Sequence, residues 1–258
     1  MTRIVFAGDR QSAVQCLAIL LDSGVRPQAL MVSSPEIATH DGILREMSGL
    51  DADHVLVGRQ FREPAGIELL KSLDLDYILG VHFPYIVPGE VLEIPRQGVL
   101  NLHPALLPYN RGWHTPNWAI LDGTPIGATL HFMDSGVDTG DIVAQTELEI
   151  RPEDTAHTLY ARLLELEVKL FREAWPLLAS GKPPRRVQSR DEGTNHVRAA
   201  LAADSIRRLD LETTAPVKEV LRTLRALTTN DVGEAAYFEL EGRRYRVQIT
   251  ITPEDGEA

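Results

Sequence analysis

Cysteine is nearly absent from this chain. Cys16 is the single one among 258 residues, so no intramolecular disulfide can form, and no Cys/His grouping has zinc-ligand spacing, so no metal is expected. Aromatic residues are scarce at 6%. Positive charge is outweighed, with 26 Lys and Arg against 37 Asp and Glu and a formal net charge of −11. Phosphate repels so acidic a surface, which argues against nucleic acid as a partner. The basic clusters Arg185-Arg186 and Arg243-Arg244-Tyr245-Arg246 read as solvated surface. No apolar run approaches the roughly 18 to 20 residues that cross a bilayer. Met1 leads straight into Ile4-Val5-Phe6-Ala7, which reads as a buried strand and not as a signal peptide. The expectation is a cytoplasmic protein with no membrane partner.

What is present is the patterning of an α/β fold. Ile4 to Ala7, Leu30 to Val32, Val55 to Val57 and Tyr77 to Val81 are short apolar runs, continuous rather than alternating, as strands covered on both faces require. Between the first two, Ser12 to Asp22 places Val14, Leu17, Leu20 and Leu21 on one helical face, and Gly24 closes it. Ala65 to Leu73 repeats the pattern with Ile67, Leu70 and Leu73. Strands alternating with helices imply crossovers and a Rossmann-like, mostly parallel sheet. It continues through Gly98 to Leu102, Ala128 to Phe132 and Ile142 to Glu149, followed by a long helix over 154–180 with Asp154 as its N-cap. Gly181-Lys182-Pro183-Pro184 stops that helix. Gln188 to Gly193 reads as a polar linker. Beyond it, Val217 to Leu227 reads as a helix, and Ala235 to Leu240 with Arg244 to Ile251 as a hairpin turning at Glu241-Gly242. The expected division is a catalytic domain over 1–187 and a small C-terminal helix-plus-hairpin module over 188–258.

Chemistry concentrates between Gly98 and Asp141. Asn101 and His103 are two apart, so a strand presents both on one face and Leu100 and Leu102 on the other. Pro104 ends the strand, setting the pair at its carboxyl end, where open α/β sheets place their sites. An amide donor beside an imidazole suits an oxyanion developing in acyl transfer. The stretch from His131 to Asp141 adds Asp134, Asp138 and Asp141 with Gly136 and Gly140. It lacks the ligand count and terminal glutamate of a calcium loop. One of its carboxylates facing the Asn/His pair would serve acid–base work on an attacking amine.

Asn101-Leu-His103-Pro104-Ala-Leu106-Leu107-Pro108, then Arg111-Gly112, then His131 through Asp138-x-Gly140, resembles the folate-dependent formyltransferases. The resemblance implies the formyltransferase fold, 10-formyltetrahydrofolate as cosubstrate, and Asn101, His103 and Asp138 as the catalytic set, with His131 as the second histidine. It further implies a folate pocket lined by the segment Val81-His82-Phe83-Pro84-Tyr85-Ile86, with Phe83, Pro84, Tyr85 and Ile86 as its binding residues, completed by His131, Met133, Asp134, Ser135 and Gly136.

Three acceptors are compatible with that family. The opening Phe6-Ala7-Gly8 resembles methionyl-tRNA formyltransferase, which carries a larger, basic C-terminal barrel. Glycinamide ribonucleotide formyltransferase has a glycine- and serine-rich first loop where this chain has Gly8-Asp9-Arg10-Gln11-Ser12. The sugar N-formyltransferases are most similar, in length, in Pro108-Tyr109-Asn110-Arg111-Gly112-Trp113 and in the short tail with Tyr237-Phe238. The implied acceptor is the amine of a nucleotide-linked amino-deoxy sugar. Arg10 and Arg111 are candidates for its diphosphate, since guanidinium forks suit phosphate oxygens, and Trp113 and His114 for the acceptor side. A formyl-folate hydrolase or a folate-binding protein stays open as the other class. A homodimer through the C-terminal hairpin is compatible with the pattern.

Overall fold

The computed structural model describes residues 2–189 and 191–254. The chain divides into two compact units. Met1–His103, Ala128–Thr146 and Glu165–Ser189 form one; Pro104–Gly127, Glu147–Leu164 and Arg190–Ala258 form the other. In chain order the elements begin β1 (Ile4–Gly8), α1 (Arg10–Asp22), β2 (Ala29–Val32), α2 (Asp41–Ser48), β3 (Val55–Val57), α3 (Pro64–Ser72), β4 (Tyr77–Val81), α4 (Gly89–Leu92) and β5 (Gly98–His103). They continue with β6 (Arg111–Gly112), α5 (Thr115–Asp122), β7 (Ile126–Phe132), β8 (Ile142–Leu148), α6 (Ala156–Ala179) and β9 (Asn195–His196). Last come α7 (Asp204–Arg207), α8 (Val217–Leu227), β10 (Ala236–Leu240) and β11 (Arg243–Val247).

The architecture is α/β: a mostly parallel seven-stranded sheet in the order β3-β2-β1-β4-β5-β7-β8. β1, β2, β3, β4 and β5 pair in parallel, and β7 joins β5 antiparallel. The strand order reverses between β1 and β4, the switch point at whose carboxyl ends α/β sheets open a crevice. Both faces of the sheet are covered. On one, Ala13, Leu17 and Leu20 of α1 and Leu170, Phe171 and Trp175 of α6 pack with Phe6, Leu79, Leu100 and Leu102. On the other, Leu70 of α3 joins Phe61, Val5, Ile78 and Val99. Burying such a large apolar side chain contributes roughly 1.5 to 3 kcal/mol.

Local chemistry sets the boundaries. Pro64 opens α3, where its fixed φ suits the first helical residue. Gly49 stops α2 in the left-handed region at φ 64. Asp154 is not the N-cap of α6. Helix begins at Ala156, Thr155 Oγ1 accepts from Thr158 N–H at 3.3 Å, and Asp154 instead accepts from Arg151 N–H and pairs with Arg162. The hairpin turn holds Glu241 at φ 50 and Gly242 at φ 73, the double positive φ of a type I′ turn. Its second strand ends at Val247, short of Ile251, because Gln248 and Ile249 turn their donors to Thr229 O and Thr228 Oγ1.

In the second unit, α5 packs on α8, and Ala119, Ile120, Leu159, Leu163 and Ala226 form a local core. Asn117, buried on α5, donates to the Ala226 carbonyl at 2.7 Å. No helix among the described residues is long and apolar enough to cross a membrane.

Candidate active site

β5 and β7 bring four polar side chains together. The antiparallel register sets Asn101 opposite His131 and His103 opposite Thr129, so the strand period aims Asn101, His103 and His131 to the same side. Leu100 and Leu102 point into the other core. His103 and His131 are both buried, their rings 6.1 Å apart and near perpendicular at 82°.

Hydrogen-bonding logic fixes the orientations. The Phe132 carbonyl lies 2.8 Å from His131 Nδ1 and can only accept, so Nδ1 carries a proton. In the neutral ring Nε2 is then an acceptor, and Asn101 Nδ2 approaches it at 3.4 Å. The same Nδ2 donates to Asp138 Oδ1 at 3.5 Å. Asp138 lies beside both histidines: Oδ2 is 3.5 Å from His103 Nε2, and Oδ1 is 3.6 Å from His131 Nε2, a second acceptor with which it shares the Asn101 donor.

The loop that delivers Asp138 is tightly turned. Asp134 Oδ1 accepts from Gly136 N–H at 3.0 Å and from the Thr139 hydroxyl at 2.6 Å. A Cβ on Gly140 would run into the Phe132 carbonyl, so glycine is required there. Asp138 itself sits in the left-handed region at φ 54, which aspartate tolerates better than most residues. Two of the three loop acids are thus accounted for, Asp134 as the loop's own clasp and Asp138 as the group facing the imidazoles.

The predicted folate residues divide. Phe83, Tyr85 and Met133 pack against the same apolar cluster, with Phe61 completing an aromatic group whose centroids lie 5.0 to 6.2 Å apart. The Tyr85 hydroxyl accepts from Ser34 N–H at 2.9 Å. Pro84 is exposed and Ile86 84% so, while Asp134, Ser135 and Gly136 are exposed on the loop. Gly80 pairs with Asn101 across β4 and β5. A Cβ there would lie 3.1 Å from the Leu100 carbonyl oxygen and 3.6 Å from both Asn101 Oδ1 and Met133 Cε, so glycine permits the close packing beside the amide.

Arg10 is exposed at the start of α1. Its neighbour Asp9 is occupied: Oδ1 accepts from Arg10 N–H, Thr39 N–H, the Thr39 hydroxyl and His40 N–H at 2.7 to 3.0 Å. Burial pushes the Asp9 carboxyl up, but the bonds from the Thr39 hydroxyl and the Arg10 and Thr39 N–H groups hold it below its ordinary 3.8. In the second unit Arg111 is buried on β6, which pairs with β9. Trp113 is 43% exposed with the Arg198 guanidinium 5.0 Å from its ring centroid. Burial lowers the His114 imidazole below its usual 6.5, against the pull of Glu234.

Sequence reasoning missed two contributors on the first unit, Gln188 and Gly80, and the partner of a third, His82. Gln188 is buried and bonded to the Asp138 loop. Gly80 shows only as a glycine within an apolar run. His82, at φ 52, reaches the fully buried Glu167 of α6 at 2.7 Å and anchors the entry to Phe83. Nothing in the local sequence hints at that 85-residue pairing.

Fold and site together define a class. The chain belongs to the formyl transferase family, whose model matches residues 32–175. A second model, described as the N-formyltransferase dimerization C-terminal domain, matches 202–253. The chain is 32% identical over 197 residues to methionyl-tRNA formyltransferase of Clostridioides difficile, a match covering 74% of this chain and 63% of that enzyme's length. It is also 32% identical over 187 residues to dTDP-4-amino-4,6-dideoxyglucose formyltransferase of Mycobacterium bovis, covering 72% of this chain and 77% of that enzyme. A formyltransferase from Anoxybacillus kamchatkensis, solved with UDP-4,6-dideoxy-4-formamido-L-AltNAc and tetrahydrofolate, aligns at a TM-score of 0.60 and 25% identity, over 86% of this chain and 98% of that one.

Proposed function

We propose that this protein transfers a formyl group from 10-formyltetrahydrofolate to the amine of a nucleotide-linked amino-deoxy sugar. The observation that carries the reading is the convergence of Asn101, His103, His131 and Asp138 at β5 and β7. Met133, Phe83 and Tyr85, grouped on one apolar cluster, are the side chains that would cover a flat heteroaromatic ring. The bound folate supplies an electrophilic formyl carbon.

The residues then divide the work. Asn101 Nδ2, turning one N–H away from its long contacts of 3.4 to 3.5 Å with His131 and Asp138, and the His103 ring donate to the formyl oxygen as charge grows on it. Asp138 orients His103 and receives the proton that the attacking nitrogen sheds. His103 returns a proton to the departing folate nitrogen. One N–C bond forms as another breaks, and the hydrogen lost by the amine ends on tetrahydrofolate.

The sugar acceptor is supported by the relative that acts on a dTDP-amino sugar, by the relative solved with a UDP-formamido sugar, and by the charge of −11. Methionyl-tRNA is the second reading, favoured by the identity to the C. difficile enzyme. The matched dimerization domain supports a homodimer through 202–253. The first half of α8 offers an apolar surface for it, with Val217 73% exposed and Val220 and Leu221 beside it.

The deciding assay follows 10-formyltetrahydrofolate consumption with dTDP- and UDP-linked amino sugars, with methionyl-tRNA, and without acceptor. Turnover dependent on an amino sugar is expected. Dependence on tRNA transfers the assignment to the second reading. Full-rate turnover without any amine makes the protein a hydrolase.

A further inference from the structure

Gln188 lies just after α6, where the composition suggests only a linker, yet it is 6% exposed. A strap brings it there. Arg186 N–H donates to the Ile142 carbonyl at 2.9 Å and Ile142 N–H to the Arg186 carbonyl at 2.8 Å, an antiparallel bridge onto β8. The Arg186 guanidinium bonds the Gln145 side chain, and that of Arg185 lies 3.5 Å from the centroid of the Phe132 ring. At the end of this strap the Gln188 carboxamide nitrogen donates to two carbonyl oxygens, Asp138 at 2.9 Å and Gly140 at 2.7 Å.

A carboxamide nitrogen has two N–H groups, and both go to the loop that carries Asp138. That loop needs holding. Asp138 adopts φ 54, a conformation that persists where surrounding structure enforces it. Relaxing φ at Asp138 swings its Cβ, and with it a carboxylate that must stay within 3.5 to 3.6 Å of two imidazoles. The loop's other clasp, Asp134 with Gly136 and Thr139, is exposed, whereas Gln188 acts from the buried side.

We propose that Gln188 is a positioning residue: its carboxamide, braced by the strap on β8, locks the left-handed turn that aims Asp138 at His103 and His131. The proposal rests on the reading of Asp138 given above. Gln188 touches no reacting atom, so its loss acts through Asp138.

Gln188→Met keeps the length of the side chain and removes both donors. It lowers kcat about tenfold or more, leaves KM for 10-formyltetrahydrofolate within about twofold, and speeds amide exchange across 134–140. Added to Asp138→Asn, the same substitution changes kcat less than about twofold, because the group it positions is already disabled. Losses that simply multiply in the double variant overturn the proposal, as does a raised KM at unchanged kcat. Unchanged exchange across 134–140 overturns it without reference to the reaction. If Asp138→Asn keeps wild-type turnover while Gln188→Met still loosens the loop, the catalytic reading fails and the brace stands. Should Gln188→Met not fold, Gln188→Glu decides. Its carboxyl donates one hydrogen bond only while protonated, so the ratio of its kcat to that of the wild type falls as pH rises through that titration; a ratio independent of pH overturns the brace.

Discussion

Asn101 is the residue on which the site turns. Its amide nitrogen stands between two acceptors, His131 Nε2 and Asp138 Oδ1, so the carboxamide cannot flip without setting oxygen against both. This leaves Oδ1 on the side of Gly80 and makes the donor edge common to both partners. Asn101→Ala and His103→Ala are each expected to cut turnover on the order of 10²-fold or more, while folate affinity by calorimetry stays near the wild-type value. Near-normal rates in both would remove the acyl-transfer reading. At position 138 the choice of replacement matters. Asn keeps the short polar side chain that tolerates φ 54, whereas Ala adds backbone strain of about 1 kcal/mol. Asp138→Asn is therefore expected to lose activity at unchanged Tm, and Asp138→Ala to lose both.

At the scale of elements, α1 is tied to its surroundings by one carboxylate. Asp9 caps the helix and gathers Thr39 and His40, so Asp9→Ala is expected to cost about 1 to 2 kcal/mol, read as a lower urea midpoint. The pH dependence follows in sign. Asp9 titrates lower in the fold than in the unfolded chain, so its contribution is present above 3.8 and is lost as pH falls through the lower, folded value. Acid titration of the urea midpoint should show this fall in the wild type and a flatter curve in Asp9→Asn. The elements also show what was legible in the sequence. β1 to β4 announce themselves because burial on both faces leaves unbroken apolar runs. The pair at Asn101 and His103 is legible from period two and a closing proline. α5 is not, since its buried face includes Thr115 and Asn117, whose partners are the distant Pro104 and Ala226 carbonyls. Gln188 is illegible for the same reason: a buried amide leaves no periodicity, and its acceptors lie 48 and 50 residues away. The arginines at 185 and 186 are exposed, as their composition suggests, yet they hold the strap that brings Gln188 in.

For the whole molecule, self-association is the property the proposal exposes to test. Sedimentation is expected to give a dimer, and Leu221→Glu on the uncovered half of α8 a monomer of unchanged Tm. A dimer that survives this change would place the contact elsewhere. The sheet itself is protected against the wrong kind of assembly. One outer strand, β3, is three residues long, too short to template a stranger's backbone. The other, β8, meets the bridge from Arg186 at its first residue, Ile142. The segment that steadies the reactive loop therefore also occupies the first residue of that sheet edge, where a foreign strand would begin to pair. Loosening it would be expected to surface as turbidity on storage, a colloidal symptom of a change made beside the reacting groups.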